Sequence, residues 1–124
     1  IQAVSNDSRP LVKQIFSPSQ YASKEVTNVV AVDCEMVETD RWGEGLARVS
    51  IVNHHGVVLM DRYVIPDCHQ VTNYRTWVSG VTPQHLKLEN GAMKFADAKK
   101  QAHEILNGRI IVGHSLQHDF KALE

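Results

Sequence analysis

Val29-Val30-Ala31-Val32 is a β-branched apolar run, and it leads directly into Asp33-Cys34-Glu35. A run of this kind suits a strand covered on both faces. Side chains repeat every second residue along a strand, so Asp33 and Glu35 point one way and Cys34 the other. Carboxylates in such a place are costly unless they titrate, pair with a cation or bind a metal. Hard oxygen donors suit Mg²⁺ or Mn²⁺ rather than Zn²⁺. Ligands of open α/β sheets bind at the carboxyl ends of the strands, which is where this pair lies. The alternative is a loop start with two solvated acids.

The pattern after Glu35 supplies a sheet for this strand. Leu46–Asn53 alternates, as does Val57–Ile65. The turn Asn53-His54-His55-Gly56 between them predicts an antiparallel hairpin. Residues 67–90 read as a long polar-aromatic connection. Phe95, Ala98, Ala102, Ile105 and Leu106 recur at three- and four-residue steps, which predicts a helix from about Met93 with Gly108 at its C-terminal cap. Arg109–Val112 is another short strand, and a second helical stretch follows from about Leu116. The order predicts an α/β fold, in which a mixed sheet holds a hairpin and a parallel crossover strand, flanked by helices. Asp119 lies in the second helix. If the first and fourth strands are neighbours, its carboxylate reaches Asp33 and Glu35, and three acids so placed suit a metal pair that hydrolyses a phosphodiester.

Length and charge narrow the classes. The 124 residues are enough for one domain. Residues 1–28 are polar and aperiodic and read as a linker or N-terminal arm, with Leu11, Val12, Ile15 and Phe16 at helical spacing. No apolar stretch is long enough for a transmembrane helix, so no membrane partner is expected. A net charge of −1, from 13 basic and 14 acidic residues, excludes a broadly basic coat for nucleic acid but leaves room for a local groove. Cys34 and Cys68 are too few for a disulfide framework and read as reduced thiols of an intracellular protein. Cys34 is expected to be a buried thiol and not a nucleophile.

Four segments carry a resemblance. Ala31-Val32-Asp33-Cys34-Glu35-Met36-Val37 comes first, then Gly45 to Asn53. Val71-Thr72-Asn73-Tyr74-Arg75-Thr76 with Val78-Ser79-Gly80-Val81 is third, and Gly108 to His114 followed by Asp119 is fourth. In this order they resemble the DEDDh 3′→5′ exonucleases, in the RNA exonuclease branch that holds the ribosomal-RNA-processing exonucleases and the interferon-stimulated exonuclease. The match covers about residues 29–124. It implies a ribonuclease-H-like mixed sheet with flanking helices, and two-metal release of nucleotides from a 3′ end. It also implies that Asp33 bridges both metals, Glu35 holds the metal that activates water, and Asp119 serves the second. Met36 would lie beside the terminal nucleotide, or else pack the core. Arg75, in a segment with Tyr74 and Trp77 that suits phosphate or sugar contact and base stacking, would contact substrate, or else pair with a surface acid.

The departures bear equally on function. The family's fourth acid and general-base histidine stand on a later helix, in a His-x-x-x-x-Asp segment that follows the one matched here at Asp119 and is distinct from the His114-to-Asp119 spacing, and Asn73 replaces the family's usual Asp. The chain is therefore expected to be the first two-thirds of an exonuclease domain with the C-terminal part missing, and weak or inactive alone. The expected partner is single-stranded RNA, or DNA, with a free 3′ end. Two other readings stand beside an exoribonuclease: a nucleic-acid-binding or interaction remnant without catalysis, and a DNA-directed exonuclease. The family setting implies a nuclear or nucleolar location, with the cytoplasm as the alternative. His114 and His118, four apart, are expected to cap and face solvent rather than hold a metal. Lys94, Lys99 and Lys100 read as a solvated helix face.

Overall fold

Where the sequence turns β-branched or alternates, the chain extends. The computed structural model describes residues 2–5, 23–41 and 43–124. The strands are β1 (Gln2–Ser5), β2 (Val29–Thr39), β3 (Gly43–Val52), β4 (Val58–Ile65) and β5 (Val71–Asn73), followed by the short helix α1 (Thr76–Ser79). Two 3₁₀ turns, Pro83–Leu86 and Leu88–Asn90, lead to the two-residue strand β6 (Met93–Lys94). Helix α2 (Phe95–Leu106), strand β7 (Ile110–Gly113) and helix α3 (Leu116–Ala122) complete it.

The sheet runs in the order β1-β7-β2-β3-β4-β6, and β5 also pairs with β2. β2, β3 and β4 form an antiparallel meander, while β7 lies parallel to β2 and β1 parallel to β7. The expected hairpin and the expected neighbourhood of β2 and β7 are both present. Asn53 closes the hairpin turn from within, since its Oδ1 accepts the His55 and Val57 amides at 2.9 and 3.0 Å. Part of the expected N-terminal arm, Gln2–Ser5, is an edge strand. The helical spacing at Leu11, Val12, Ile15 and Phe16 lies outside the described residues.

Both long helices cover one face of the sheet. Ala98, Ala102 and Leu106 of α2 and Leu116 and Leu123 at α3 join Val30, Val32, Cys34, Val49, Ile51 and Ile111 in one buried cluster. A smaller cluster on Val37, Ala47 and Val81 takes in Tyr63, Tyr74 and Leu86. α2 ends at Leu106 and its C-cap is Asn107, one residue before the expected Gly108, which takes the left-handed φ of 73° that lets the chain reverse into β7.

The outer part of the meander is stapled by charge. Arg48 donates to Asp61 twice, at 2.9 Å each, and Ser50 adds a third bond at 3.0 Å. The Arg48 hydrogen bonds hold the Asp61 carboxyl below its ordinary range. Such a group stabilises the fold fully above its ordinary value of 3.8 and loses that contribution as pH falls through its lowered value. The pair is more than one-third exposed, so Asp61→Asn is expected to cost under about 1 kcal/mol at pH 7. Urea unfolding at pH 7 and again well below pH 4 should show that difference fading in acid.

Candidate active site

The site begins as a gap in the sheet. β3 occupies one edge of β2 from Ala31 to Thr39. On the other edge, β7 pairs only as far as Ala31 and β5 only at Glu38 and Thr39. Among the described residues, 32–37 of β2 therefore carry an edge with no strand beside it. Backbone N–H groups left inside a protein need partners. α3, which starts three residues after β7 ends, supplies one: Asp119 Oδ1 accepts the Cys34 amide at 3.3 Å. Asp119 is 3% exposed.

Asp119 is thereby set on the peptide that joins Asp33 to Glu35. Those two are half-buried on the sheet face opposite Cys34, across from Ser50 and Arg48 of β3. Cys34 points into the core, as its place between them predicts. Its thiol is pushed far above the ordinary range by burial, and further by the negative charges of Asp119, Asp33 and Glu35. All three carboxylates thus act on one buried sulfur, and the thiol is no nucleophile.

In kind, these donors fit a hard divalent cation, since all are carboxylate oxygens and one is fully buried. Among the described residues, however, no three His, Cys, Asp or Glu side chains are gathered closely enough to hold a metal ion. Like charges repel at short range, and a bound cation would draw them inward.

Met36 follows the acids on the helix-covered face, across from Leu46. It both packs against the core and lines an open groove of about 820 Å³. Phe95, His118 and Lys121 line the same groove. Periodicity marked Phe95 only as part of a helix face; its position at the first turn of α2 is what brings it here. His118 is exposed, as expected, yet it borders this groove. Nothing in the sequence pattern marked Lys121, although it lies two residues after Asp119.

Arg75 lies beyond the far end of the gap, after β5. Its backbone is left-handed at φ 47°, a conformation unusual for a residue with a side chain, and its amide donates to Asn73 Oδ1 at 2.9 Å. Asn73 thus has a turn-forming role here. The Arg75 guanidinium reaches Glu44 at 3.3 Å and Glu38 at 4.0 Å, two residues that face each other across β2 and β3. The structure brings Asp119 to the segment of Asp33 and Glu35, places Met36 in the adjoining groove, and sets Arg75 at the end of β2.

No family model matches the chain. Individual proteins do. RNA exonuclease 4 of Mycosarcoma maydis is 47% identical over 120 residues, a match covering 91% of this chain and 31% of that protein. RNA exonuclease 4 of Saccharomyces cerevisiae is 47% identical over 103 residues, covering 82% of this chain and 34% of that protein. The interferon-stimulated gene 20 kDa protein of Mus musculus is 49% identical over 100 residues, covering 80% and 32%. In three dimensions the chain resembles the Saccharomyces cerevisiae Pan2 pseudoubiquitin hydrolase-RNA exonuclease module, solved in complex with AAGGA RNA. The TM-score is 0.65 at 23% identity, over 85% of this chain and 20% of that one. That likeness shows the fold, and it agrees with the ribonuclease-H-like sheet expected from the motifs. The chain is a homologue of the RNA exonucleases of the DEDDh superfamily, and it spans about a third of the length of the relatives it matches.

Proposed function

We propose that residues 29–124 form part of a 3′→5′ exoribonuclease domain whose acid site lies in the gap along β2. The observation that carries this reading is the Asp119 carboxylate seated on the Cys34 amide, between Asp33 and Glu35. Asp33, Glu35 and Asp119 would hold divalent cations, Mg²⁺ or Mn²⁺ by the hardness of the donors. When bound, a pair of such ions polarises the attacking water and neutralises charge on the leaving oxygen. The chain's own residues orient the strand. Met36 and the groove beside it would receive the terminal nucleoside, and Arg75 would face sugar or phosphate. The substrate is then single-stranded RNA with a free 3′ end, with DNA as the competitor.

One observation favours a second reading, binding without cleavage: no three ligand side chains are gathered among the described residues. Metal binding separates the two. Calorimetric titration with Mn²⁺ should show binding to the chain, and Asp33→Asn should weaken it at least tenfold. Unchanged Mn²⁺ affinity in Asp33→Asn, or no binding by the parent, would remove the catalytic reading and leave the second. RNA and DNA versions of one oligonucleotide, in competition, then report the preference.

A further inference from the structure

Trp77 is 86% exposed and its neighbour Val78 52% exposed. A large aromatic side chain held almost wholly in solvent is informative where the backbone beneath it is fixed. Here it is fixed from several sides. Ser79 donates to the Tyr74 carbonyl at 2.8 Å and accepts the Val81 amide at 3.0 Å. Thr76 donates to the Val81 carbonyl at 2.6 Å, and the Gly80 amide returns to the Thr76 carbonyl at 2.9 Å. Val81 itself is fully buried, and Tyr74 packs beside it. α1 is thus a small rigid mount for an outward indole, and little order remains to be imposed when something stacks on it.

Its position gives the occupant. α1 follows β5 and Arg75 directly, and β5 is the strand that closes the far end of the acid-lined gap on β2. A single strand whose 3′ end lies in that gap and continues past β5 would run toward the segment that carries Trp77. Local charge does not favour a phosphate-only contact, because Arg75 already faces Glu38 and Glu44. Stacking needs no net charge, and every base offers a face for it.

We propose that Trp77 is a stacking platform for a base of the single-stranded RNA upstream of its 3′ end. The proposal rests on the exoribonuclease reading of the gap. It is tested on the chain itself in Ca²⁺, with 5′-fluorescein hexauridylate followed by anisotropy and uridine monophosphate followed by calorimetry. Trp77→Ala should weaken hexauridylate binding by about tenfold, leave the monophosphate affinity unchanged, and leave the salt dependence of binding unaltered. Trp77→Phe should restore most of the loss. Hexauridylate affinity equal to the parent's in Trp77→Ala, with the monophosphate still bound, overturns the proposal and leaves the patch to a protein partner. Parent protein that binds neither ligand overturns the exoribonuclease reading, and this proposal with it.

Discussion

Asp119→Asn is expected to make the metal-free chain more stable and to abolish its stabilisation by Mn²⁺. The amide keeps an oxygen for the Cys34 N–H, which Asp119 now satisfies at 3.3 Å. What it removes is a negative charge, buried to 3% exposure, beside two further carboxylates that act on the same thiol. Relief of such repulsion amounts to about 1 kcal/mol. In a domain of this size that raises the melting temperature by roughly 3–6 °C. The parent, bound to Mn²⁺ at a hundred times its dissociation constant, gains about 2.7 kcal/mol from linkage. Thermal melts with EDTA and with excess Mn²⁺ should therefore cross over: the variant leads without metal and trails with it. An Mn²⁺ shift as large in the variant as in the parent would exclude Asp119 from the metal site. Asp119→Ala separates the contributions further, because it also strands a buried amide at about 1–3 kcal/mol.

Gly113→Ala should damage fold and site together. Gly113 ends β7, three residues before α3 begins at Leu116. A Cβ there would lie 2.9 Å from the Val32 carbonyl oxygen and closer still to the Leu116 side chain. The carbonyl belongs to the central strand and does not yield, so the start of α3 must move outward. Overpacking of this kind costs about 1–3 kcal/mol. The displacement also draws Asp119 away from Cys34, and a stability loss read by urea unfolding should come with weaker Mn²⁺ binding. A variant that loses stability but binds Mn²⁺ as the parent does would show that α3 tolerates the shift without moving its acid.

What the sequence made legible was local. Val29–Val32 marks the buried strand, the two alternating runs mark the hairpin, and Phe95 to Leu106 marks the helix, because each depends on one face meeting one core. The alternation of side chains was enough to place Cys34 opposite Asp33 and Glu35. What stayed hidden depends on partners far along the chain. Glu38 is polar and carries no strand signal of its own, yet β2 continues through it, for Glu38 pairs with Asn73. Gln2–Ser5 is too short and too polar to announce a strand, and it pairs with Ile110–Gly113, far along the chain. The left-handed backbone of Arg75 has no signal in its own residue type. The groove beside Met36 is assembled from α2, α3 and β3, so no single pattern contains it.

β7 sits between β1 and β2, although more than half the chain separates it from either. The β2–β4 meander closes through neighbouring segments, a fast kind of contact. β7 must instead reach β2 across a long stretch of chain, and β1 then pairs on β7, a slow kind of step with a large loop entropy to overcome. α3 rides in on β7, and Asp119 rides in on α3. The acid site is therefore tied to a late folding event: a chain with its meander formed and its hairpin closed still holds Asp33 and Glu35 without their third carboxylate. On the proposed reading, competence to bind a metal at this place would arrive with the sheet's completion and serve as a natural marker of it.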